Sequence, residues 1–408
     1  MSSLLNYNYT ARNPATGKKV TGQIQAENKA LAGKLILEQG LAPLDIKSDS
    51  ESPIAAYLSH IFGKIKTNDK VLFSRQLSTL IGAGLPLLQS LRTVLAQTQN
   101  ANMKEVINSI VSSVEGGSSF ADALAKFPKV FDQVFRSLIA AGEASGTLDK
   151  SLDRLAKQQE KDAEIVAKVK GAMVYPMIVV VVMIAVVSFM LVAVLPQVKT
   201  LYDSFPNARL PSLTIGMLAI SGIVQKFWWV AIILFVAGAV FTTRWGRTLT
   251  GKRLFDKLKM KVPPFGPLFM KLYMARFART GATLFASGVP MIQVLEITAR
   301  AVDNVFIEES ISRAIEKVKG GKALSDAIEG DPNFLYLVPN MLKIGEQSGQ
   351  IESMLEKTAD FYEKEVDDQI KTISTIIEPF MIVTLGIVAI LIVGAVLVPI
   401  YGLAGKTG

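Results

Sequence analysis

The sequence predicts a mainly α, polytopic membrane protein. It has two homologous cytoplasmic helical bundles of about six helices each, three transmembrane helices and a small N-terminal α+β module. Three observations carry this. Half of the 408 residues are hydrophobic and only 19% are charged, a balance shifted toward membrane. Uncharged apolar runs reach the roughly 20 residues that cross a bilayer core. One stretch of sequence, read as a helical unit followed by an apolar run, occurs twice.

The N-terminal module occupies residues 1–50. Tyr7, Tyr9 and Ala11 alternate as in a strand, Asn13-Pro14 and Thr16-Gly17 mark a turn, and Val20, Gly22 and Ile24 alternate again. Asn28 can cap a helix running to Gln39 and ended by Gly40, and Leu44 and Ile46 indicate a last strand. The order expected is β-β-α-β. Residues 51–67 form a linker whose Ile54, Tyr57, Leu58, Ile61, Phe62 and Ile65 fall at helical spacing. That stripe suits a partner, the membrane surface or the protein's own core. The first residues, MSSLLNYNYTARN, lack the basic start and apolar core of a cleavable signal, so insertion is expected to depend on the internal spans.

The repeat is visible by direct alignment. Phe73 to Arg92 reads FSRQLSTLIGAGLPLLQSLR and Phe277 to Glu296 reads FARTGATLFASGVPMIQVLE, with eight of twenty positions identical at an offset of 204. About one match is expected from average composition. Shared residues include Arg75/Arg279, Gly84/Gly288, Pro86/Pro290 and Gln89/Gln293. Gly116-Gly117 continues the register to Gly320-Gly321, and Asp122 to Asp326. After a one-residue deletion, Gly142-Glu143-Ala144-Ser145-Gly146 aligns with Gly345-Glu346-Gln347-Ser348-Gly349, Pro176 with Pro379, and Pro196 with Pro399. Each unit is helical, with apolar residues at three and four: Leu77, Leu80 and Ile81, then Leu87, Leu88, Leu91 and Leu95. Gly84-Leu85-Pro86 stops one helix and starts the next, and Ser118 or Ser119 can cap the helix after Gly116-Gly117.

The first span runs over 174–195 and the third over 376–400, the latter with Glu378 at its start. The middle apolar stretch is broken by Gln225 and Lys226, and a charge at mid-membrane is costly. Its span is therefore placed at 227–243, with Trp228 and Trp229 at the interface and Leu213 to Val224 lying on the membrane surface within an external segment of 196–226. Seven basic residues between Arg244 and Lys261 put that side in the cytoplasm. The first helical domain, 68–173, the second, 244–375, and the N-terminus are then cytoplasmic, and the tail, 401–408, is external.

Composition also excludes chemistry. The chain has no cysteine, which removes disulfides, thiolate metal sites and cysteine nucleophiles. Its single histidine, His60, cannot build a histidine metal cluster or a catalytic triad within one chain. The net charge of +9 is spread along the chain with no aromatic-rich basic module, which argues against nucleic acid. Gly405-Lys406-Thr407 resembles the end of a phosphate-binding loop, but Ile400 stands where the first glycine is needed. Glu378 is one carboxylate near the membrane surface, and its repeat counterpart is Tyr175, so an ion-coupled transporter finds little support. No catalytic residue, cofactor site or metal site is expected.

The motifs FSRQLSTLIGAGLPLLQSL, GEASGTLDKSL and YPMIVVVV, with the second copies GEQSGQIESML and EPFMIV, resemble the inner-membrane platform proteins of type IV pili and type II secretion systems, the PilC/GspF family. The resemblance covers essentially the whole chain, the first fifty residues matching the family's variable N-terminal region. It implies a non-enzymatic platform in the bacterial inner membrane. A cytoplasmic assembly ATPase would dock on it, with a retraction ATPase sharing the surface in pilus systems. ATPase motion would be coupled to movement of pilin subunits in or out of the pilus base, beside other inner-membrane pilus components. The resemblance also implies a homo-oligomer, most often a dimer. It favours the pilus machine, with the equivalent secretion platform as the alternative; a small membrane transporter is the rival of another class.

Two sets of residues are candidates for function. The turns built from Gly142, Glu143, Ser145, Gly146 and from Gly345, Glu346, Ser348, Gly349 can contact the ATPase or a second protomer. They can equally be structural, the glycines permitting the turn, the serines capping the next helix and the glutamates binding free amides. Pro176 and Pro379 can be hinges, since no strong breaker separates each span from the cytoplasmic helix before it. A continuous helix from Leu148 to Leu195 would extend about 70 Å. The other reading is that the helix breaks there and proline starts the span. The two pre-membrane helices also differ in charge, net +2 over 154–173 and net −3 over 356–375, which suggests complementary surfaces within or between protomers.

Overall fold

The computed structural model describes residues 5–12, 19–26, 29–48, 65–203, 212–246 and 248–407. The linker stripe from Ile54 to Phe62 and His60 lie outside them. The chain divides into two compact units, residues 1–69 with 92–109 and residues 70–91 with 110–408.

In the first unit, β1 (Leu5–Arg12), β2 (Lys19–Ala26), α1 (Lys29–Glu38) and β3 (Ala42–Ser48) follow the expected order. The sheet is antiparallel with β1 central. Tyr9 sits opposite Gly22, where a Cβ would come within 2.8 Å of the tyrosine ring, so the glycine makes room for the ring to lie across β2. Helix α1 buries Ala32 and Ile36.

The second unit holds the two copies apart from residues 67–69 and 92–109 of the first, which fall in the first unit. In the first copy α2 (Thr67–Gly82), α3 (Leu87–Gln97), α4 (Ala101–Glu115), α5 (Phe120–Ala125) and α6 (Gln133–Ser145) precede the long α7 (Leu148–Phe189). A π-helical turn, Met190–Val194, and α8 (Leu195–Asp203) prolong it. Then α9 (Ser212–Trp245) and α10 (Leu249–Lys261) lead to the second copy: α11 (Phe265–Ala286), α12 (Met291–Ala301), α13 (Val305–Lys319), α14 (Leu324–Ile328), α15 (Leu337–Ser348) and α16 (Ile351–Thr407). The duplication holds in backbone detail. Left-handed glycines recur in pairs, Gly84 with Gly288, Gly117 with Gly321, and Gly146 with Gly349. The cores match as well. Phe73 packs on Phe131 with ring centroids 5.5 Å apart, and Phe277 packs on Phe334 at 5.2 Å. Each fully buried ring of this kind is worth about 1.5–3 kcal/mol.

Two helices, residues 148–200 and 351–398, are long and apolar enough to cross a membrane, and a third span is possible if the bent α9 counts as one. Their apolar stretches leave large side chains uncovered by protein, Phe380 and Ile390 among them, as a lipid-facing surface requires. Both helices run without interruption through the expected break points, so Pro176 and Pro379 stand inside helices and do not start them. Helix α9 leaves helical backbone values at Phe227 (φ −120°, ψ 17°), next to the polar pair Gln225-Lys226, and its segments Thr214–Val230 and Ile232–Trp245 are inclined at 53°.

The first half of α9, expected on the membrane surface, also packs on the protein itself. Thr214 and Ser221 are buried, and Met217 and Leu218 pack on Leu191, Leu195 and Ala395 at the C-terminal ends of the two long spans. The cause is polar. A π-helical turn leaves a carbonyl without its usual partner. The Ser221 hydroxyl donates to the Leu191 carbonyl, Gln225 Nε2 donates to Val192 O at 3.4 Å, and Thr214 Oγ1 donates to Ala395 O at 3.3 Å.

Candidate functional site

The two Gly-Glu-x-Ser-Gly turns have the same geometry. Gly146 and Gly349 both end their helices at φ 70°, a left-handed conformation that costs other residues about 1–2 kcal/mol. Thr147 N donates to Gly142 O at 2.8 Å and Gly146 N to Glu143 O at 3.4 Å, the Schellman pattern, and Gln350 N donates to Gly345 O at 2.8 Å in the second copy. The first glycine of each turn is where two helices touch. A Cβ on Gly142 would stand 2.5 Å from Ser151 Oγ, and one on Gly345 would stand 2.9 Å from the Ile351 Cα.

The glutamates reach out of their own helices. Glu143 accepts from Phe120 N at 2.8 Å and Ala121 N at 3.1 Å, and Glu346 accepts from Leu324 N and from Ser325 N at 3.2 Å. Each carboxylate therefore caps the short helix α5 or α14, satisfying free amides and placing negative charge at the positive end of the helix. The serines do not cap the next helix. Ser145 and Ser348 donate back to Ala141 O and Ile344 O, both at 2.7 Å, because the Schellman turn carries the chain away before the hydroxyl can reach forward. Ser145 and Ser348 are exposed, as are the closing glycines.

A second repeated feature joins α2 and α11 to the long helices. Arg75 donates through Nε to Glu160 at 2.6 Å and through Nη1 to Asp153 at 3.2 Å. Arg279 donates through Nε to Glu363 at 2.8 Å and through Nη2 to Asp360. The arginines are an aligned pair and so are Glu160 and Glu363, so each copy clamps its first helix to its span-bearing helix in the same way. The hydrogen bond from Arg75 holds the Glu160 carboxyl below its ordinary value. Burial works against the Arg279 charge, but bonds to Glu363 and Asp360 outweigh it and raise the pKa. The arginines were legible as a repeat; their partners carry the matching signal, a glutamate repeated at an offset of 203, outside the repeated glycine and proline motifs.

The two copies meet along α7 and α16. Lys168 Nζ lies 2.6 Å from Asp367, Arg154 lies 3.7 Å from Glu352, and Ile165 packs with Leu268, Val366 and Ile370. Opposite charges of the two pre-membrane helices thus pair within one chain. Higher up, Gln158 Nε2 donates to Thr280 Oγ1 at 3.2 Å and Arg300 Nη1 to Gln133 Oε1 at 2.9 Å. Between these contacts lies a cavity of about 400 Å³ lined by Asp132, Gln158, Asp162, Arg276, Arg279 and Arg300, among others. Burial pushes the Asp162 carboxyl above its ordinary value, against the pull of Arg276. No group of three metal-ligating side chains converges among the described residues.

A duplicated helical bundle, each copy clamped by an arginine and running into a long apolar helix, defines a tandem-repeat membrane protein. The model of the family described as type II secretion system (T2SS), protein F, matches residues 73–196 and again 277–399, and that of its N-terminal domain matches residues 1–47. The chain belongs to this family. It is 36% identical over 403 residues to the type IV pilus assembly protein PilC of Thermus thermophilus, covering 98% of each chain. To the Pseudomonas aeruginosa protein of the same name it is 34% identical, covering 91% of this chain and 98% of that one. To the type II secretion system protein F of Aeromonas hydrophila it is 35% identical, over 89% of this chain and 94% of that one.

Proposed function

We propose that the protein is the inner-membrane platform of a type IV pilus machine, coupling a cytoplasmic assembly ATPase to movement of pilin subunits at the pilus base. The observation that carries this is mechanical. Both copies pass from a cytoplasmic bundle to an apolar span in one unbroken helix, α7 with its continuation and α16. Force applied to a bundle reaches the membrane through that helix. In this reading the N-terminus and both bundles face the cytoplasm, the tail faces outward, and the protein acts as a homo-oligomer without catalytic residues of its own. A retraction ATPase and other inner-membrane pilus components share the platform. Relatives named as secretion system protein F support a second reading, the equivalent platform of a type II secretion system.

The exposed Ser145 and Ser348 ends of the paired turns are proposed contacts for the ATPase, while Glu143, Glu346 and the glycines shape those turns. Pro176 and Pro379, each lacking an amide hydrogen within a continuous helix, are proposed bending points. The test is deletion of the gene with imaging of surface pili, assay of secreted proteins, and co-purification of the solubilised protein with candidate ATPases. Loss of pili with a retained ATPase supports the pilus reading. Loss of secretion with normal pili moves it to the secretion platform. No effect on either, and no bound ATPase, sinks both.

A further inference from the structure

The duplication places one contact inside the chain and leaves its counterpart open. Residues Gln133, Ser137 and Ala141 of α6 line one groove with the turn Ser287–Pro290 that joins α11 to α12. This is a head-to-tail arrangement: one face of the first copy lies across a groove from a different face of the second, and Gln133 Oε1 accepts from Arg300 Nη1 at 2.9 Å. The equivalents of Gln133, Ser137 and Ala141 in the second copy are Tyr336, Asn340 and Ile344. All three are exposed, Tyr336 by 77% and Ile344 by 51%. The equivalent of the turn is Ala83–Pro86 in the first copy. There Leu85 is half-buried where its counterpart Val289 is buried. So the face on α15 carries two large uncovered apolar side chains, and the turn after α2 carries a half-buried Leu85 beside an exposed Pro86.

We infer that the α15 face of one chain, Tyr336, Asn340 and Ile344, docks on the Ala83–Pro86 turn of a second copy of this chain. The occupant follows from repeat equivalence, because the matching face of the first copy is already turned toward the matching turn of the second. It also follows from chemistry, since an aromatic and an isoleucine meet a leucine and a proline. A head-to-tail contact that closes gives a ring. Here two chains place four copies in a ring with two internal and two intermolecular contacts. Both copies continue into their spans at the same end, so the added chain keeps the same sense relative to the membrane. The inference rests on the homo-oligomer in the proposed function and names its interface.

The chain contains no cysteine, so the test has no background. Two differently tagged full-length chains, one with Ala83→Cys and one with Ile344→Cys, are co-expressed and treated in membranes with a short bis-maleimide. A single chain carrying Ala141→Cys and Ser287→Cys, whose sites share the groove within one molecule, serves as the positive control. The expected result is a cross-linked species bearing both tags, lost when either cysteine is omitted. Tyr336→Lys with Ile344→Lys is expected to abolish that species and reduce the solubilised protein to monomer, with its helical circular dichroism unchanged. An oligomer that cross-links only between identical positions, or not at all while the control reacts, overturns the interface and leaves the oligomer standing. A monomer in both membrane and detergent overturns both.

Discussion

Single residues in this protein have sharply different tasks, and substitutions separate them. Glu143 and Glu346 each bind two backbone amides of another helix. Replacing either with alanine is expected to cost about 1–3 kcal/mol, read as a lower denaturant midpoint, because the amides lose a charged acceptor in a half-buried place. Gly345→Ala is expected to destabilise by about 1–3 kcal/mol, since its Cβ meets backbone and cannot be relieved by a rotamer change. Arg279 and Glu363 are mostly buried, at 19% and 16% exposure, whereas Arg75 and Glu160 are at 35% and 39%. Arg279→Met should therefore cost about 3 kcal/mol by stranding a carboxylate, and Arg75→Met about 1 kcal/mol or less. Asp162 gives a pH test. Its carboxyl binds a proton more tightly in the folded chain, so its neutral form favours folding. That contribution is lost as pH rises from the ordinary carboxylate range near 4 through the raised folded value. Asp162→Asn is expected to raise the melting temperature at pH 7 by about 2 °C or more, a gain absent below the ordinary range. The repeated turns were readable from their glycines, because only glycine suits φ 70°. That the glutamates can bind free amides was readable too; which amides was not, since they lie 21 to 23 residues upstream and are backbone atoms, which leave no mark in a side-chain pattern.

At the level of elements, the apolar runs and caps announced most helices. Ser119 does cap α5, its hydroxyl accepting from Asp122 N at 3.0 Å. The long helices were legible as the absence of a breaker before each span proline. Whether proline would end or merely enter the helix could not be read, because one type of residue serves both. With both prolines inside helices, replacing each with alanine restores an amide donor, and pilus extension in those strains measures the hinge. Extension at the parental rate in both would end the hinge proposal. The packing of the half of α9 before Phe227 was not legible for a specific reason. Its Thr214, Ser221 and Gln225 resemble the polar face of a surface helix, yet they donate to carbonyls at Ala395, Leu191 and Val192. Hydrogen-bond donors to backbone carbonyls elsewhere in the chain carry no periodic signature of their own.

On the scale of the molecule, duplication made the architecture readable and divergence made the interfaces obscure. Equivalent glycines, phenylalanines and arginines mark two copies of one bundle. The face that the first copy turns toward the second differs from its counterpart: Gln133, Ser137 and Ala141 in the first copy, the exposed Tyr336, Asn340 and Ile344 in the second. Charge divergence between α7 and α16 was visible as composition, and the structure turns it into pairs such as Lys168 with Asp367. Reversing Lys168 to Glu is expected to weaken the packing of the two helices by about 1 kcal/mol or less, the pair being part-exposed, and restoring opposite charge with Asp367→Lys should recover the parental melting temperature.

The π-helical turn at Met190–Val194 makes the two long helices unequal as mechanical parts. Helix α16 keeps a regular α-helical register over 57 residues, about 85 Å, with amide donors missing at Pro379 and Pro399, so a twist imposed near Ile351 is carried toward the far end. The path from Leu148 contains a turn with one residue too many, and such a turn can take up rotation by migrating along the helix. One span therefore behaves as a torsion rod and the other as a slip coupling, so a bundle that rotates as a unit will turn its two spans by different amounts.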